Sequence, residues 1–169
     1  MRIKVNIFCL IGAIASVSLI VILSWMFFTR DWGLKGDFYL GTNFDKYLFS
    51  GYKKTINFSY PQEMDARLPD DYFSAYWAGT LLAPKDGTYT IFTSEDDGLR
   101  LFIDNKIMID DWNSHFKTDS YKAVFLSKGP HPIILEYFQG GTFAVLKLYW
   151  AIDGGKMEII PAKYLRHTK

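Results

Sequence analysis

An all-β fold, an antiparallel β-sandwich preceded by one N-terminal transmembrane helix, is the architecture this sequence predicts. Three observations carry the expectation. Aromatic residues make up 18% of the 169 residues, with 14 Phe, 11 Tyr and 5 Trp, and rings fit the pleated surface of a sheet. Beyond residue 30, Gly and Pro recur at short intervals with strand-length runs between them. Val5 to Thr29 carries no charged residue, and about 20 apolar residues let a helix cross a hydrocarbon core.

Composition narrows the function classes. Hydrophobic residues at 49% and charged residues at 22% exclude a disordered chain. Lys and Arg number 19 against 18 Asp and Glu, a net charge of +1. A nucleic-acid partner is not expected, because such a surface carries a basic excess. One cysteine, Cys9, allows no internal disulfide.

The apolar run reads as an anchor over residues 5–29, with residues 1–4 as a cytoplasmic N-terminus and residues 30–169 as the folded domain. Arg2 and Lys4 precede the run and Arg30-Asp31 follow it. Ala13-Ile14-Ala15 resembles a signal-peptidase site, yet Val17 to Leu23 continues the apolar run beyond it. Trp25, Phe27 and Phe28 near its end are too bulky for cleavage, and Trp25 and Phe27 suit the far interface. An uncleaved, single-pass anchor is therefore expected. Arg2 and Lys4 keep the N-terminus cytoplasmic and leave the C-terminal domain periplasmic or extracellular. Cys9 reads as a small apolar helix residue, with acylation as the alternative. Gly12, Ala13, Ala15, Ser16 and Ser18 would let a helix of a membrane-protein partner approach closely.

Strand-like runs then follow in order: 37–40, 55–60, 73–82, 88–93, 99–104, 106–109, 121–126, 133–138, 143–150 and 157–160. None has a helical period, so a sandwich or barrel is expected. Asp86-Gly87, Asp97-Gly98 and Asp104-Asn105 read as hairpin turns, the glycines supplying positive φ. The run 143–150 is apolar on both faces apart from Lys147. It reads as a central strand whose outer face is covered by a loop or free to meet a partner. Trp77, Trp112 and Trp150 are expected in or near the core.

Several pieces then occur in a recognisable order. They are Gly33-Leu34-Lys35-Gly36-Asp37-Phe38-Tyr39, Phe73 to Gly79, Pro84 with Asp86 to Ile91, Ser94 to Asp104, Ile109 to Trp112, Glu136-Tyr137-Phe138 and Leu146 to Trp150. The ordered set, over residues 33–165, resembles the anthrax protective-antigen N-terminal-type domain. That family is a lectin-like β-sandwich of glycosidases, toxins and yeast flocculins and adhesins. Tyr76 departs from it, standing where the family often has Arg.

The resemblance implies a site. In the adhesin branch two consecutive Asp residues joined by a cis peptide hold a calcium ion that binds glycan, and Asp96-Asp97 match that pair. A hard cation such as Ca2+ takes several oxygen ligands, and sugar hydroxyls complete its shell. The adhesins add an Asn from a late loop; the loop here carries Gln139, Gly140 and Gly141, so Gln139 is the nearest amide and the glycine carbonyls are further candidates. The resemblance thus implies metal ligands Asp96, Asp97 and Gln139, and a carbohydrate site of Asp96, Asp97, Gln139, Gly140 and Gly141. The plainer reading of Asp-Asp-Gly is a turn.

No catalytic set is expected. His115, His131 and His167 form no triad with a serine, and there is no Gly-x-Ser-x-Gly. Asp110-Asp111-Trp112 reads as a strand end and Asp70-Asp71 as a solvated turn. Two functions stay open. One is a membrane-anchored, lectin-like module that captures cell-surface or envelope glycan, calcium-dependent where the Asp pair holds the ion. The other is a non-catalytic accessory subunit that docks on a membrane or envelope complex without binding sugar.

Overall fold

The computed structural model describes Ser18 and residues 31–59, 65–141 and 143–167. The expected anchor over 5–29 lies outside these residues apart from Ser18, which is helical. Among the described residues no helix is long and apolar enough to cross a membrane. The chain divides into two compact units, residues 1–31 and 32–169.

Twelve strands build the second unit among the described residues: β1 (Leu34–Leu40), β2 (Lys46–Lys53), β3 (Asn57–Ser59), β4 (Phe73–Ala83), β5 (Gly87–Asp96), β6 (Leu99–Ile103), β7 (Lys106–Asp111), β8 (Thr118–Leu126), β9 (Gly129–Gln139), β10 (Val145–Ile152), β11 (Glu158–Ile159) and β12 (Leu165–Arg166). One sheet has seven strands in the order β2-β1-β4-β9-β6-β7, with β12 also on β4. The other has five, in the order β11-β10-β5-β8, with β3 on β10. All the paired strands are antiparallel, so the all-β antiparallel expectation stands.

Alternation makes the sandwich. In β5 the odd positions Tyr89, Ile91, Thr93 and Glu95 are buried, and in β9 the odd positions Ile133, Leu135, Tyr137 and Gln139. A strand with one inward face puts every second side chain into the core. Trp77 and Trp150 are fully buried there. Trp112 is only half-buried. It lies beside the core, 5.6 Å from the Phe44 ring and 4.9 Å from Phe138, under the Arg100 guanidinium at 4.6 Å.

Two expected hairpins are corners instead. Asp86-Gly87 leads from β4 to β5, and Asp97-Gly98 from β5 to β6, each passing from one sheet to the other. Neither glycine has positive φ. Their smallness is needed for another reason: a Cβ on Gly98 would run into the Phe138 ring, and one on Gly87 into the Asp153 carboxylate at 2.8 Å. Asp104-Asn105 is a true hairpin between β6 and β7, with φ of 52° and 59°. Strand β2 lies outside the expected runs. Its Lys46-Tyr47 and Ser50-Gly51 interrupt the apolar alternation, and it forms because β1 offers it an edge.

Candidate functional site

The corner after β5 is where the chemistry collects. Asp96 ends β5 and is joined to Asp97 by a cis peptide bond. Around the pair stand the loop after β7 (Ser114, His115, Phe116), the loop after β9 (Gly140, Gly141, Phe143), and Asp71-Tyr72 before β4. Together they line a cavity of about 530 Å³. These elements meet because β4, β5 and β9 all present this end of the sandwich: Phe73 pairs with Gln139, and Val145 with Asp96.

Asp97 organises the loops. Its Oδ1 accepts from Ser114 Oγ at 2.7 Å and from the His115 backbone N–H at 3.0 Å. Its Oδ2 accepts from the Gly140 N–H at 2.7 Å. One carboxylate thereby ties both loops to the corner, using hydrogen bonds to a charged acceptor that are stronger than neutral ones. Asp96 is 8% exposed. Burial raises its carboxyl pKa, and the Asp97 charge raises it further. The Asp96 backbone carbonyl accepts from the buried Tyr137 hydroxyl of the opposite sheet. Burial and the same two carboxylates push that phenol well above its ordinary value.

Behind the cavity the interior faces of β5 and β9 turn polar. Glu95 and Gln139 are fully buried. Burial raises the Glu95 carboxyl pKa, and the nearby Thr93 and Ser120 hydroxyls pull it only partly back.

The structure thus brings Asp96, Asp97, Gly140 and Gly141 to one cavity wall. Gln139 lies at the same end but points inward, its amide donating to the Phe143 carbonyl at 3.2 Å, with Oε1 buried and unpartnered. It braces the glycine loop rather than lining the cavity. Nothing in the sequence signals Ser114, a small polar residue in a polar loop. The aromatic rim is more visible: Phe116, 91% exposed, is a large ring in an otherwise hydrophilic segment.

The donor set fits a hard cation in kind, because both carboxylates offer oxygen and each oxygen accepts more than one partner. Asp71 and His115 line the same cavity, but among the described residues no group of three His, Cys, Asp or Glu is placed to hold a metal ion. A six- to eight-coordinate shell built on this pair would take its further oxygens from backbone carbonyls, water or ligand hydroxyls.

Comparison with known proteins places the domain. It is 32% identical over 135 residues to the anti-sigma-I factor RsgI3 of Acetivibrio thermocellus, a match covering 79% of this chain and 21% of that protein. The chain thus spans about a fifth of the length of that curated relative. The solved structure of an anti-sigma factor domain-containing protein is similar at TM-score 0.77 and 31% identity, over 82% of this chain and 49% of that one. A PA14 sugar-binding domain from an RTX adhesin shares the fold at TM-score 0.66 and 18% identity, over 82% of this chain and 99% of that one. The family model described as PA14 domain matches residues 25–164, and the chain belongs to that family.

Proposed function

We propose that this chain is a non-catalytic, lectin-like module that binds glycan, with calcium, at the Asp96-Asp97 corner. The observation that carries the reading is the lining of one cavity. Three acidic side chains, Asp71, Asp96 and Asp97, form part of its wall, while Tyr72, Phe116 and Phe143, 61%, 91% and 64% exposed, stand at its edge. Carboxylates with an open coordination shell suit vicinal hydroxyls, and exposed rings suit the C–H faces of sugars. The likeness to a sugar-binding adhesin domain supports it.

The uncharged run 5–29 would hold the module at the outer face of a membrane, N-terminus inside. A second reading rests on the anti-sigma relatives: glycan capture outside would be the input to a regulatory protein inside. The test is thermal unfolding of the chain with calcium and with chelator, followed by a glycan array under both conditions. Calcium should raise Tm, by about 2.7 kcal/mol of added stability at a hundredfold excess over Kd. Asp96→Asn and Asp97→Asn should each remove that rise. A wild-type Tm indifferent to millimolar calcium, with no array signal, rejects the reading and leaves an accessory subunit.

A further inference from the structure

The outer face of the five-stranded sheet carries a second concavity, of about 360 Å³. Its side chains lie in register across three strands. Tyr149 of β10, Phe92 of β5 and Tyr121 of β8 are direct cross-strand partners, so three rings stand side by side. The Phe92 and Tyr121 rings are 5.8 Å apart and 33° from parallel, and Tyr121 is 74% exposed. The next row toward the loops is Lys147, Ser94 and Asp119, again direct partners. Ser94 and Lys117 hold the Asp119 carboxyl below its ordinary pKa, so it stands there as an ionised acceptor. Lys147 takes part in no ion pair among the described residues, leaving its ammonium free to donate. The row after that reaches Asp96 itself, on the same face of β5 as Phe92 and Ser94. At about 3.4 Å per residue the track from Phe92 to Asp96 is about 14 Å long, longer than one sugar ring.

We infer that the glycan site does not end at the loop cavity but continues down the outer face of β5. Its ligand is then a chain of sugar units, one at Asp96-Asp97 and the following ones across Ser94, Asp119 and Lys147 onto the ring row of Tyr121, Phe92 and Tyr149. This rests on the proposed function and adds the ligand's length and direction. The groove chemistry favours a sugar chain over a protein. Phe92, Tyr121, Tyr149 and Met157 are types that protein interfaces also favour, but Lys, Asp and Ser, depleted at such interfaces, stand among them and suit a hydroxyl-rich ligand. Rings for C–H faces beside charged and hydroxyl groups for O–H match an oligosaccharide. The register from Phe92 through Ser94 to Asp96, which lines the first cavity, supplies its direction.

The experiment uses the full chain, in detergent, with calcium. Retardation in gels containing β-glucan, xylan, galactomannan or arabinan finds the bound polymer. Its monosaccharide and its six-unit fragment then compete. The fragment should bind at least about tenfold more tightly than the monosaccharide. Tyr121→Ala and Lys147→Ala should weaken the fragment about tenfold each and leave the monosaccharide unchanged, while Asp97→Asn weakens both. Tyr121→Phe should keep most of the fragment affinity. Equal affinity for monosaccharide and fragment, or a fragment indifferent to Tyr121→Ala in a variant of unchanged Tm, overturns the extension and leaves the loop site standing. Retention by none of the polymers and no competition by any sugar overturns the glycan reading and this one with it.

Discussion

The Tyr137 hydroxyl, at the centre of the seven-stranded sheet, donates to the backbone carbonyl of Asp96 at the end of the five-stranded one. The acidic pair is thereby referenced to the core of the opposite layer, not only to its own strand. Tyr137→Phe keeps the ring packed and removes one donor, leaving a buried carbonyl without that partner. Urea unfolding should show a loss of about 1–3 kcal/mol. The calcium-dependent rise in Tm should shrink by more than that of an equally destabilised core variant such as Ile133→Val. An unchanged rise would show that the bond stabilises the fold without setting the site.

Glu95 enters the core as an acid with raised pKa. The native state holds its proton more tightly than the unfolded chain does. Its contribution is present below the unfolded carboxyl pKa and fades as pH rises above it. Glu95→Gln should flatten that decline, with stability at neutral pH equal to or above wild type. A steeper decline in the variant would contradict the assignment.

His131 is 7% exposed, with Nδ1 2.8 Å from Asp104 Oδ2 and Nε2 2.8 Å from the Ser127 carbonyl. Burial alone would lower its pKa, but the Ser127 carbonyl and the Asp104 carboxylate outweigh it and the net shift is upward. The stabilisation is full below the unfolded imidazole pKa and is lost as pH rises through the higher folded one. Unfolding curves from acid to alkaline pH should show that loss in wild type and not in His131→Gln.

The tryptophans should separate by depth. Trp77→Ala and Trp150→Ala remove fully buried rings and should cost about 3–5 kcal/mol each. Trp112→Ala, at a half-buried position, should cost clearly less by the same urea measurement. Equal losses would mean that the Arg100 and Phe138 contacts count as core.

Much of this architecture is legible in the residues. Alternating apolar positions mark β4, β5, β9 and β10, because an inward face selects every second side chain. The acidic pair is legible through its ordered neighbours. The misread turns show the limit. Asp86-Gly87 and Asp97-Gly98 have hairpin chemistry, yet which sheet the next strand joins is decided by long-range pairing with β8, β9 and β10. The inward turn of Gln139 is hidden for a related reason: parity along β9 sends it inward with Tyr137, and that parity is set by pairing with β4. The aromatic row of Tyr149, Phe92 and Tyr121 belongs to three separate runs, and only register brings it together.

Trp32 and Arg166 are bridged, and the Gly33 N–H donates to the Leu165 carbonyl, so the domain is entered and left at one address along β4. Arg166 pairs with Thr80, seven residues along β4 from Phe73, the strand's first residue and the neighbour of the cavity's Tyr72, about 24 Å at strand spacing. Mechanically the module is a pendant: a load applied between Trp32 and Arg166 crosses the bridge they share and bypasses the loops that line the cavity. Such a unit can be spliced into a host's surface loop, or circularly permuted by linking Arg166 back to Trp32, without re-routing a strand.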